Sequence, residues 1–164
     1  MPHAGSAPLL PPDLLAMIGR GVSVIVSSCG HDLTPSLMRA VGSQISPAGD
    51  RITVFLNRSQ SARLLQDVAS TGRVAVVFSE PHSDRTLQLK GQDARLSPCQ
   101  PEDAALAEQH LQGFVGEIGQ LGFPAEVAHT VLRAGSECLR IEFSIGAVFE
   151  QTPGPGAGAP AAAQ

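Results

Sequence analysis

The segment Asn57-Arg58-Ser59-Gln60-Ser61-Ala62-Arg63 sets two guanidinium groups and two hydroxyls just ahead of an apolar repeat, Leu64, Leu65, Val68 and Ala69. That repeat has a helical period, and Gly72 stops it. A helix starting here presents free N–H groups and the positive end of its dipole, worth about 0.3–1 kcal/mol to an anion. Arg63 adds a two-pronged donor suited to phosphate or carboxylate, and Arg58 adds charge just upstream. The chemistry on offer is anion binding. The same residues equally describe ordinary capping by Ser59 or Ser61, with the arginines in solvent.

Other polar side chains fall at telling positions. Arg39 shares one side of an extended segment with Leu37 and Val41, where a charge either meets a partner or bends its stem out to water. In "TLQLKG", Gln88 and Lys90 share the side opposite Leu87 and Leu89 and form a polar face for a ligand or for water. Cys29 and His31 stand two apart in "SSCGHD" and, with no third group to orient them, read as structural. Cys99 and Cys138 are far apart in sequence. The three cysteines form neither a disulfide framework nor a zinc pattern and read as small buried residues or free thiols. His82 falls in a loop between two strands, and His110 and His129 fall on helices, on polar or boundary surfaces.

The elements that must position these residues follow from periodicity. "PPDLLAMIGRG" reads as a short helix with Pro12 and Asp13 in its first turn. "GVSVIVSS", "LTPSLMRAVGSQI" and "RITVFL" read as three strands, the last two joined by the reversal "SPAGD". After the helix at residues 62–71 come two more strands in "RVAVVFSEPHSDRTLQLKG". Val74 to Phe78 is apolar throughout and is expected to be covered on both faces. Beyond Leu87 and Leu89 the apolar positions switch parity to Ala94 and Leu96, so a bulge and corner are expected at Gly91. "CQPEDAALAEQHLQGFVGEIG" carries the helical stripe Ala107, Leu111, Phe114, Val115 and Ile118, and "PAEVAHTVLRAG" makes a further helix. "CLRIEFSIGAVF" closes the pattern as a sixth strand with one buried face.

The expectation is a mainly β, α+β domain over residues 13–151, its antiparallel strands forming a closed or nearly closed barrel. Residues 1–12, with four prolines, read as a flexible arm, and the Gly/Pro/Ala-rich residues 152–164 as a disordered tail. The formal charge of −4 is spread without basic blocks; ten arginines and one lysine, unclustered, argue against a nucleic-acid binder. No apolar run reaches the roughly 20 residues that cross a bilayer, so no membrane partner is expected and a cytoplasmic protein is. Neither GxGxxG nor GxxxxGK[ST] occurs, against a dinucleotide fold or a P-loop.

"PSLMRAVG", "ITVFLNRSQSARLL" and "VAVVFSEPHSDRTLQLKG" resemble the pyridoxamine 5′-phosphate oxidase-related, FMN-binding split-barrel family over roughly residues 21–96. The resemblance implies a six-stranded antiparallel split barrel, a homodimer, and FMN in a groove between subunits. It implies further that Arg39, Ser61 and Arg63 bind the phosphate, with Arg58 adding charge. Val41, Leu56 and Asn57 would border the flavin ring, and Arg85, Gln88 and Lys90 would lie on the hairpin that reaches the other subunit. An oxidoreductase acting on a small molecule, with a nicotinamide as one candidate donor, follows from it. So do two alternatives: a binding module for flavin or haem without turnover, and a deazaflavin-dependent reductase. The chain departs from the true oxidase: Ala62 replaces one of two adjacent basic residues, and no Arg or Lys follows Arg140. Pyridoxine phosphate oxidation is therefore not expected. With no Trp or Tyr, a flavin ring would have to pack on surfaces such as Phe55 and Val41.

Overall fold

The computed structural model describes residues 10–133 and 137–161. It is an α+β fold with nine antiparallel strands in two sheets. The first sheet has the order β2–β1–β5–β6–β9, from Pro35–Arg39, Ser23–Cys29, Val74–Ser79, Thr86–Gly91 and Ala147–Glu150. The second runs β3–β4–β8–β7, from Gly42–Ile45, Arg51–Asn57, Cys138–Ser144 and Arg95–Pro98. Helix α1 (Pro12–Ile18) precedes β1, α2 (Ala62–Thr71) follows β4, and α3 (Asp103–Gly119) and α4 (Ala125–Val131) lie between β7 and β8.

Three of the six expected extended segments cross from one sheet to the other. Leu33–Ile45 breaks at Ala40 and Val41 into β2 and β3, and the segment through Gly91 breaks into β6 and β7. The last segment breaks after Ser144 into β8 and β9. Gly91 is the tightest corner: a Cβ there would overlap the Phe143 ring and come within 2.8 Å of the Ser144 carbonyl oxygen. The parity change beyond Leu89 thus reflects a strand that leaves its sheet. Between the sheets lies one core, with Val24, Val26, Val76, Phe78, Leu87 and Leu89 facing Ile52, Val54, Leu56, Ile141 and Phe143.

Burial on both faces falls on β4 rather than on the expected Val74–Phe78. Residues 52–57 are all buried because α3 covers the outer face of the second sheet; the Cα of Ala107 lies 3.3 Å from where a Cβ on Gly42 would sit. In β5, Val74, Val76 and Phe78 point inward while Ala75 and Val77 stay half-buried on the outer face; α3 packs instead on the second sheet, against β3. Helix α2 buries Leu64, Leu65 and Val68 and ends at Gly72, whose φ of 66° is the left-handed conformation that glycine adopts without strain.

The termini carry more structure than composition suggests. Residues 1–9 of the expected arm lie outside the described residues, but Leu10 packs in the core. The tail expected to be disordered turns back beside β9, with Ala161 N–H donating to Val148 O at 2.9 Å and Glu150 N–H to Ala159 O at 2.9 Å. Its glycines and prolines bring no apolar surface, yet its backbone supplies the partners that an edge strand lacks.

The cysteines need correction as well. Cys99 and Cys138, expected as separate buried residues or free thiols, form a disulfide, and Cys29 is free. Sequence spacing hid the pair because β7 and β8 are neighbours only after α3 and α4 intervene.

Candidate functional site

Chain leaving β4 passes through a single 3₁₀ turn, Arg58–Gln60, and enters α2 at Ser61. The Ser61 hydroxyl donates to Asn57 O at 2.7 Å, so no side chain caps the N–H groups of the first turn of α2. Beside this helix end opens a cleft of about 550 Å³, lined by Arg58, Ser59, Ala62, Leu65, Leu96, Glu137 and Leu139. Arg58 pairs with Glu137 at 2.9 Å, and both side chains are more than half exposed. Such a surface pair contributes about 1 kcal/mol or less and gives way readily to a stronger anion. The cleft thus combines a positive helix end, one guanidinium and a leucine wall, an arrangement able to hold an anionic group attached to an apolar body.

Arg63 points elsewhere. Its Nε lies 3.3 Å from the carboxylate of buried Asp67, which also accepts the Ser36 hydroxyl at 2.6 Å; Asp32 lies 3.7 Å from the same guanidinium. Arg63 therefore neutralises a buried acid, and that acid competes with any phosphate for it.

The other residues singled out in the sequence fall into separate groups. Val41 and Asn57 meet in a second cleft, of about 430 Å³, between β4–β8 and the helices α3 and α4; Asp103, Leu111, His129 and Arg133 also line it. Leu56 is fully buried between the sheets, and Phe55 is fully buried beneath α3, which removes it as a surface for a flavin ring. Arg39 pairs across strands with Ile25, on the outer face of the first sheet, and donates to the Ser23 hydroxyl at 2.6 Å. Burial draws its guanidinium pKa down from the ordinary value. Gln88 lies opposite Val77 and Phe149 on the same face, and the Lys90 ammonium sits 4.8 Å from the centre of the Phe149 ring. Arg85 is tied to Asp13 at the far end of the hairpin, and that contact holds the Asp13 carboxyl below its usual range.

Two clusters escaped sequence reasoning. Glu80, His82 and Glu117 bring donor atoms within 4.8 Å of one another. Arg20 bonds Glu80 and reaches within 3.9 Å of Glu117, and His82 Nδ1 lies 2.8 Å from Glu117. With a guanidinium already supplying the countercharge, the cluster ties the β5–β6 hairpin and the chain before β1 to α3. His110, expected on a polar or boundary surface, is buried, and its Nε2 has no hydrogen-bond partner among the described residues. Burial, then the nearby charge of Arg39, pushes its pKa down to about 4. A signal for this existed: residue 110 falls at helical spacing between Ala107 and Phe114 on the apolar stripe.

No family model matches the chain, and no curated protein matches it. Solved structures do. Group A Streptococcus HupZ is similar at 13% identity with a TM-score of 0.57, covering 92% of this chain and 100% of that one. A putative pyridoxamine 5′-phosphate oxidase from Lactobacillus delbrueckii aligns at 11% identity and a TM-score of 0.53, over 88% and 97% of the two chains. The fold is that of the pyridoxamine 5′-phosphate oxidase-related proteins. A further likeness is to a pyridoxamine 5′-phosphate oxidase-related, FMN binding protein from Nostoc punctiforme, at 9% identity and a TM-score of 0.51 over 90% and 87%. Among the described residues, no helix is long and apolar enough to cross a membrane.

Proposed function

We propose that this protein is a homodimeric FMN-binding flavoprotein, an oxidoreductase acting on a small molecule, and not a pyridoxine phosphate oxidase. The observation that carries the reading is the uncapped head of α2 opening, with Arg58, into the leucine-walled cleft. The helix N–H groups and Arg58, released from Glu137, would hold the FMN phosphate, and Leu65, Leu96 and Leu139 would offer the apolar wall for the ring system. Bound FMN supplies electron acceptance and donation; the protein supplies position, charge and exclusion of water.

The dimer reading rests on the outer face of the first sheet. There Leu37 is 66% exposed and Ile25, Val77 and Phe149 are partly exposed, an apolar stripe across adjacent strands. A second copy of the chain is the proposed occupant. Gln88, Lys90 and Arg39 lie on this same face, so dimerisation carries their polar atoms to the subunit boundary. A cytoplasmic setting belongs to the same proposal.

Purification and titration test it. The protein is expected to be yellow, or to become so with added FMN, and a nicotinamide donor is expected to bleach the flavin band. Colourless protein that takes up no FMN refutes the cofactor. Bound flavin that no donor reduces replaces the oxidoreductase with a binding module.

A further inference from the structure

Cys99 directly follows β7 and Cys138 opens β8, so their disulfide closes the base of the excursion that contains α3 and α4. These two helices hold a small apolar cluster of their own, Phe114, Ile118, Ala128 and Leu132, separate from the main core. What fastens the pair to the rest is mostly polar or small: Asp103 to Arg140 at 3.6 Å, His82 to Glu117, and the close approach of Ala107 to Gly42. A unit with its own small core, resting on the second sheet chiefly over Phe55 and Gly42 and closed at its base by one covalent bond, is a candidate for opening as a piece.

Both cysteines also line the 430 Å³ cleft beneath those helices, and both are only partly buried. The cleft thus places both cysteine residues beside space that a small molecule can enter in the folded chain. Arg133 lines the same cleft and has no carboxylate partner among the described residues. The acids there are occupied: Asp103 faces Arg140, and Glu108 accepts the Gln112 amide at 2.8 Å. Arg133 thus adds positive charge to the cleft that both cysteines line, which favours the thiolate form of a departing sulfur.

We propose that the Cys99–Cys138 bond is a thiol–disulfide exchange site for small thiols, and that its reduction releases the α3–α4 hairpin from the second sheet. An incoming thiolate bonds to one cysteine sulfur and the other leaves as thiolate. A second thiolate then attacks the mixed disulfide and regenerates that cysteine. Two thiols are oxidised to one disulfide, and the protein disulfide gains two electrons and two protons. The reaction needs no flavin, although Cys138 stands between Glu137 and Leu139 of the proposed cofactor cleft.

The test uses the full chain, first oxidised and then held in millimolar glutathione or dithiothreitol without denaturant. Alkylation and mass analysis report the cysteines, and hydrogen exchange reports the helices. The expected result is labelling of both Cys99 and Cys138, with amides of residues 104–131 exchanging about tenfold faster or more while β1 and β5 keep their protection. The double variant Cys99→Ser/Cys138→Ser is expected to exchange like the reduced protein and to ignore thiols. A bond that resists millimolar thiol in the folded chain overturns the proposal. So does reduction that leaves the helices equally protected, or that costs β1 and β5 their protection too.

Discussion

The Ser61 hydroxyl donates to the Asn57 carbonyl oxygen at 2.7 Å and thereby turns away from the N–H groups at the head of α2. A serine in the position that ordinarily caps a helix instead braces the preceding turn. The helix end is left to bind something else, and Arg58 stands at the same opening.

Replacing Arg58 with Ala is expected to weaken FMN binding by roughly tenfold to a hundredfold, the loss of one charge-assisted contact of about 1.5–3 kcal/mol. Thermal stability should hardly change, because the Arg58–Glu137 pair is exposed. Arg63→Ala is expected to behave differently. It strips the guanidinium from buried Asp67 and lowers the melting temperature even without flavin. Titrations and melts of both variants separate the two roles.

Gly91→Ala should destabilise the fold by about 1–3 kcal/mol, since the added methyl meets the Phe143 ring and the Ser144 carbonyl. Urea unfolding measures it. Gly116→Ala, where a Cβ meets nothing within 4 Å, is the matching control and is expected to be neutral or slightly stabilising.

Acid should weaken the protein through His110. Its folded pKa of about 4 lies below the ordinary 6.5, so as pH falls the unfolded chain takes up this proton first. Stability from this group is fully present above pH 6.5 and is lost down to about pH 4, a total of about 3 kcal/mol. His110→Gln is expected to flatten that part of the pH–stability profile. An unchanged slope between pH 6.5 and pH 4 would show that other groups carry it.

Val77→Arg places a charge at the centre of the half-buried outer face of the first sheet, beside Ile25 and Gln88. Sedimentation is expected to give a two-chain mass for the parent and a one-chain mass for the variant, with the fold intact by circular dichroism. A parent that sediments as a single chain contradicts the proposed dimer.

Local pattern carried much of this fold and part of the site. The helix after Ser61, its stop at Gly72 and the corner at Gly91 were legible because period and parity are properties of adjacent residues. The six extended segments were legible for the same reason, but not their division into nine strands, since crossing between sheets is decided by packing partners such as Phe143 against Gly91. Which strand is buried twice is not a local property, because it depends on α3, distant in sequence, settling on the second sheet against β3. The same excursion brought Cys99 to Cys138 and enclosed His110. At the site, Ser61 and Arg58 were legible as anion-binding types, whereas Arg63 was not legible as a partner for Asp67, i and i+4 on α2, until Ser36 and Asp32 were seen around it.

Paired titrations of the flavin-free protein with FMN and with riboflavin test the central claim most directly, because the two ligands differ only in the phosphate. If the head of α2 and Arg58 hold that phosphate, FMN binds about tenfold or more tightly than riboflavin, and Arg58→Ala narrows the gap. Equal affinities, or no binding of either ligand, would contradict the account.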